Sequence, residues 1–161
     1  MTFDELLHQV RPVGWEPPSR LLAIDPGETV GYAIFRHGQL DSVGQLTCAS
    51  KPATVLDLAM RISELVKNVE PLTKVVIEDY RVYANKAKMH SWNALHTPKL
   101  IGAIQGLCMQ YEIPVVLQGA SSMQFCTNKK LKEWGYYQQG MSHANDAIRH
   151  GCYYLLFNKK E

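Results

Sequence analysis

Residues 20–46, RLLAIDPGETVGYAIFRHGQLDSVGQL, decide the fold. Arg20–Asp25 is a continuous apolar run that ends in a carboxylate. Thr29–Arg36 and Gln39–Leu46 follow it with strand-like composition, and the pair His37-Gly38 between them has turn chemistry. Three consecutive strands joined by tight turns make a meander. Downstream the rhythm changes. Pro52 opens and Pro71 closes a segment in which Val55, Leu58, Ala59, Ile62, Leu65, Val66 and Val69 recur at helical spacing. Lys74–Glu78 (KVVIE) is a short buried strand, again ending in a carboxylate, and residues 79–96 are polar, aromatic and basic with loop character. Thr97-Pro98 caps and opens a helix with Leu100, Ile101, Ile104, Leu107, Cys108 and Tyr111 on one face. Ile113–Leu117 is a further strand, Ala120–Trp134 is mostly short helix, and His143–Phe157 is a terminal helix buried through Ala147, Ile148, Cys152, Leu155 and Leu156. The order β-β-β-α-β-α-β-α predicts an α/β domain with one five-stranded mixed sheet and helices packed on its faces.

Length and composition agree with that reading. At 161 residues, 46% hydrophobic and 20% charged, the chain suits one compact domain. Residues 1–19 read as an N-terminal arm, a short amphipathic turn followed by Pro12, Pro17 and Pro18, and residues 20–161 read as the domain. No apolar stretch approaches the roughly 20 residues a membrane span needs, and MTFDELLHQVR has acids where a leader peptide has bases, so a cytoplasmic protein without a membrane partner is expected. Cys48, Cys108, Cys126 and Cys152 are widely spaced and form no C-x-x-C pair, which predicts reduced, mostly buried thiols. Charge is uneven. Residues 1–80 carry seven Lys and Arg against eleven Asp and Glu, whereas residues 81–161 carry ten against four. A basic second half either solubilises exposed helix faces or faces a polyanion.

Asp25 and Glu78 each end an apolar strand, at the sheet edge where α/β proteins bind ligands. His143 and Asp146, three apart, project from one side of the first turn of the last helix. Taken singly, Asp25 before Pro26-Gly27 suits a turn, Glu78 suits a pair with an arginine, and Asp146 suits a helix N-terminus. Taken together, three carboxylates and an imidazole beside a basic surface suggest divalent-metal phosphodiester chemistry, since hard oxygen donors suit Mg²⁺ or Mn²⁺.

LLAIDPGETVGYAIFRHG, VVIEDYRVY and HANDAIRHGCYYLL resemble, in order and spacing over residues 20–158, the three acidic motifs of the RuvC family of Holliday junction resolvases in its compact phage-encoded form. I-D-P-G-x-x-x-G-Y is the most specific part of the match. The resemblance implies an RNase H-like fold and two-metal hydrolysis of DNA, with two Mg²⁺ per site (Mn²⁺ as substitute). It also implies a homodimer that cuts a four-way junction by paired nicks in a bacterial or phage-infected host cytosol. By that resemblance Asp25 bridges two ions, Glu78 binds one, Asp146 supplies the final-helix carboxylate, and His143 occupies the variable position three before it. Tyr80, Arg81, Tyr83, Lys86 and Lys88 interleave rings and cations suited to stacking on bases and contacting phosphates, and Lys129, Lys130 and Lys132 are expected on the DNA backbone. Gly27 and Gly31 are read as close-packing positions, His150 as supporting rather than catalytic, and Trp92 and Trp134 as core or rim. The competing enzyme is another RNase H-like nuclease, such as a YqgF-like RNA-processing enzyme or a hybrid-specific ribonuclease. An actin-like or sugar-kinase-like ATP site needs a second lobe that 161 residues do not provide. A noncatalytic nucleic-acid-binding module would have no need of all three carboxylates.

Overall fold

A computed structural model of the chain describes residues 1–47, 54–69, 71–80 and 96–158. The strands are β1 (Arg20–Asp25), β2 (Val30–Arg36), β3 (Gln39–Leu46), β4 (Lys74–Glu78) and β5 (Val115–Gln118). The helices are α1 (Phe3–Val10), α2 (Val55–Asn68), α3 (His96–Gln110), α4 (Asn128–Glu133) and α5 (Ser142–Phe157), with a 3-10 turn at Ala120–Gln124. The sheet order is β3-β2-β1-β4-β5. β2 runs antiparallel to its neighbours β1 and β3, and β4 and β5 add in parallel to β1. This is the expected five-stranded mixed sheet. His37 (φ 47°) and Gly38 (φ 82°) both adopt the left-handed conformation that a two-residue hairpin turn requires.

β1 is buried on both faces, which is why its sequence is continuously apolar rather than alternating. Leu22, Ile24, Ile34, Val75 and Ile77 face α2 and α3. Leu21, Ala23, Ala33, Phe35 and Val76 face α5. α2 follows the sequence reading, with Leu58, Ile62 and Val66 buried and the Thr54 hydroxyl accepting from the Asp57 amide as its cap. Several boundaries shift: α2 begins at Val55 rather than at Pro52, β2 at Val30 rather than Thr29 and α5 at Ser142 rather than His143, and β5 ends at Gln118 rather than Leu117. α3 begins at His96, one residue before the expected cap. β5 begins at Val115 rather than Ile113, since Pro114 has no N–H for the ladder and contributes only its carbonyl, to the Val75 amide. The predicted helix over 120–134 is a 3-10 turn and then α4.

The first nineteen residues pack on the sheet domain. Phe3 and Leu7 lie in the same core as α5, and the Phe3 ring meets Trp134 edge-on at 5.1 Å and Tyr136 at 5.5 Å. Arg11 donates to the carbonyls of Tyr154 (2.8 Å), Leu155 (2.5 Å) and Asn158 (2.6 Å), closing the C-terminal end of α5. Its guanidinium also stacks 4.1 Å from the Trp15 ring centroid. Cys108, Cys126 and Cys152 are buried free thiols, and burial pushes Cys108 to about 11 and Cys126 to about 12. Among the described residues no helix is long and apolar enough to cross a membrane.

Candidate active site

Sheet register places the first two carboxylates. Ile24 pairs with Ile77 across parallel β1 and β4, so Asp25 and Glu78 follow as neighbours at adjoining strand ends. α5 then brings its first turn down beside them. It can do so because Gly31, the ladder partner of Asp25 on β2, has no side chain: a Cβ built there would lie 1.9 Å from the His143 carbonyl oxygen. β3 completes the seat. The Gln45 side-chain carbonyl accepts from the amides of His143 (3.1 Å) and Ala144 (3.3 Å), capping a helix whose own N-cap residue, Met141, offers no side-chain acceptor.

Within this seat His143 Nδ1 lies 2.9 Å from Asp25 Oδ2. Asp25 and Glu78, side by side at the adjoining strand ends, influence each other's ionisation. Burial, reinforced by the charge of Glu78, raises the Asp25 carboxyl to about 7 despite the bond from His143. Glu78 moves the other way. Burial alone would raise it, but His150 and Asp25 together outweigh burial and hold it below the ordinary glutamate value.

Asp146 lies within electrostatic reach of Glu78, His143 and His150, and its Oδ1 is paired with Arg149 one turn along α5, at 3.0 Å. Burial raises its carboxyl and the charge of Glu78 adds to this, while Arg149 pulls it down. Arg149 in turn donates to the side-chain carbonyl of Asn128, tying the start of α4 to the site. Among the described residues no three His, Cys, Asp or Glu side chains are grouped as a ready cation cage. Asp25 and Glu78 nonetheless fit a divalent cation, being hard oxygen donors at the ends of neighbouring parallel strands.

The remaining expected contacts fall differently. Lys129 and Lys132 are exposed on α4, and Lys130 is half-buried. Lys130 Nζ sits 3.1 Å from the Phe125 ring centroid and Lys132 Nζ 4.7 Å from that of Tyr137. Tyr80 is half-buried against the core under α2 and α3. Arg81, Tyr83, Lys86, Lys88 and Trp92 lie outside the described residues, as do Cys48, Lys159 and Lys160. Asn145 is structural, its side chain bonded to the backbone of Gln138 at 2.8 and 2.7 Å. Sequence reasoning missed Gln45, Gln118, Ser122 and Arg149. Of these only Arg149 carried a signal, its i, i+3 spacing from Asp146.

No protein-family model and no curated protein matches this sequence. Solved structures do match, and they define the class of fold first: a five-stranded mixed sheet with flanking helices of the RNase H-like kind. The particular neighbours are resolvases. Thermus thermophilus RuvC in complex with a Holliday junction substrate superposes with a TM-score of 0.67 at 15% identity, covering 85% of this chain and 92% of that one. A second Thermus thermophilus RuvC structure gives 0.64 at 15% identity, covering 85% and 93%. The yeast mitochondrial Holliday junction resolvase Ydc2 gives 0.56 at 14% identity, covering 94% and 84%. The chain has the fold of the RuvC resolvases.

Proposed function

We propose that the protein is a metal-dependent DNA endonuclease that resolves four-way junctions by paired symmetric nicks, leaving 5′-phosphate and 3′-hydroxyl ends. The observation that carries this reading is the placing of two carboxylates, Asp25 and Glu78, at adjoining strand ends of an RNase H-like sheet, with His143 bonded to Asp25. Asp25, Glu78, Asp146 and His143 would hold Mg²⁺ (or Mn²⁺). Bound there, the ions supply Lewis-acid activation of the attacking water and neutralise charge on the leaving 3′ oxygen.

The protein groups have separate tasks. Asp25 must release its proton for the site to load, and His143 fixes the orientation of that carboxylate through Nδ1. Asp146 joins by turning away from Arg149, and the released guanidinium is then a fork-shaped partner for a phosphate. Lys129, Lys130 and Lys132 on α4 would contact the DNA backbone, and Tyr80, Arg81, Tyr83, Lys86 and Lys88 the junction itself. Two symmetric nicks need two like sites, which a homodimer supplies.

Amide variants test the reading. Asp25→Asn, Glu78→Gln and Asp146→Asn should each abolish cleavage while still shifting a four-way junction in a gel, because the amides remove ligands and repulsion together. Cleavage by Asp146→Asn at the wild-type rate would refute the assignment.

A further inference from the structure

The imidazole of His150 is fully buried, at 0% exposure, on the α5 turn after Asp146. Three elements converge on it. The Gln118 side-chain amide, at the end of β5, donates to the His150 carbonyl (3.0 Å) and lies 3.0 Å from Nδ1. The Ser122 hydroxyl, from the 3-10 turn, lies 3.2 Å from the same nitrogen. The contact with the His150 carbonyl fixes which end of the Gln118 amide is NH₂, and an NH₂ group only donates. Nδ1 must therefore accept, which puts the ring proton on Nε2. Nε2 is buried, has no aligned acceptor, and stands 3.3 Å from Glu78 Oε2. Gln118 is itself the ladder partner of Glu78 across β4 and β5, so carboxylate and relay share one strand end.

A purely structural account explains this poorly. A fully buried imidazole whose Nε2 reaches no acceptor nearer than Glu78 costs a desolvation that leucine at this helix position would avoid. We infer that His150 is a positioning residue for Glu78: Gln118 and Ser122 hold its ring so that Nε2–H anchors one carboxylate oxygen and leaves the other lone pairs for the cation. The inference rests on the reading of Glu78 as a metal ligand. Donors that orient ligating groups commonly alter metal affinity by roughly 10- to 100-fold when removed.

Calorimetric titration with Mg²⁺ alone, without DNA, tests it. His150→Leu should remain folded by thermal melting and bind Mg²⁺ at least about ten-fold more weakly. His150→Gln, whose carbonyl can accept from Gln118 and whose NH₂ can donate to Glu78, should recover affinity to within about three-fold of wild type. Should His150→Leu fail to fold, Ser122→Ala removes one anchor of the ring and should weaken Mg²⁺ binding by itself. Wild-type affinity in a folded His150→Leu, or no recovery in a folded His150→Gln, would overturn the inference. The resolvase reading fails separately: Mg²⁺ binding with this variant pattern but no junction cleavage would refute that reading and leave the role of His150 standing.

Discussion

Gly31→Ala is the substitution most directly tied to how the fold builds the site. An alanine Cβ at position 31 would lie 1.9 Å from the His143 carbonyl oxygen, 2.1 Å from its carbon and 2.8 Å from the Ala144 amide nitrogen. Ordinary carbon–oxygen contact is about 3.3 Å, so backbone must give by roughly 1.4 Å, and backbone at a helix start yields less readily than a side chain. Moving the first turn of α5 that far would stretch the bond between His143 Nδ1 and Asp25 Oδ2 from 2.9 Å beyond hydrogen-bond range and break the Gln45 cap. Overpacking costs about 1–3 kcal/mol and the lost polar contacts about 1 kcal/mol more, for a total near ~3 kcal/mol. Junction cleavage should fall by about 100-fold, the usual effect of misplacing a reacting group by an ångström. Urea unfolding and a cleavage assay read both effects. Gly106→Ala, where an added Cβ meets nothing within 4 Å on exposed α3, is the control and should gain up to about 1 kcal/mol. A Gly31→Ala protein as stable and active as wild type would refute the close-approach argument.

Three further outcomes are expected. Because the Asp25 carboxyl is raised from 3.8 to about 7, the metal-free fold should lose stability as pH rises between those values, by at most ~4 kcal/mol and less after the opposite shift of Glu78. Urea midpoints at pH 5 and pH 8 should differ less in Asp25→Asn than in wild type, and equal pH dependence would contradict the assigned cause. Arg11→Ala removes three charge-assisted hydrogen bonds from the carbonyls of Tyr154, Leu155 and Asn158 and should lower stability by about 2 kcal/mol in thermal melts, whereas a loss under about 0.5 kcal/mol would show that water replaces the guanidinium. Lys129→Ala with Lys130→Ala should weaken junction binding and reduce the slope of log K against log salt by about 1–2, and an unchanged slope would remove α4 from the interface.

Much of the fold was legible because its signals are local. The apolar run of β1, the His37-Gly38 turn and the 3.6-residue rhythm of α2 each lie within a short window. Asp25 and Glu78 were legible for the same reason, as strand-end carboxylates whose strands proved to be neighbours. What escaped depends on contacts far apart in sequence. Phe3 and Leu7 enter the core through Trp134 and Tyr136, so residues 1–19 read as an arm until those partners are known. The cap of α5 comes from Gln45, about 100 residues earlier, and the ring of His150 is held by Gln118 and Ser122 from other elements. Asp146 is on the expected turn, yet its ion pair with Arg149 competes with its place beside Glu78, which spacing alone does not reveal.

Incubation of the protein with an end-labelled four-way junction, linear duplex and RNA–DNA hybrid, with and without Mg²⁺, tests the central claim most directly. The account predicts paired, symmetric, Mg²⁺-dependent nicks in the junction alone, absent with Asp146→Asn. Cleavage confined to the hybrid, or junction cleavage that persists without a divalent ion, would contradict it.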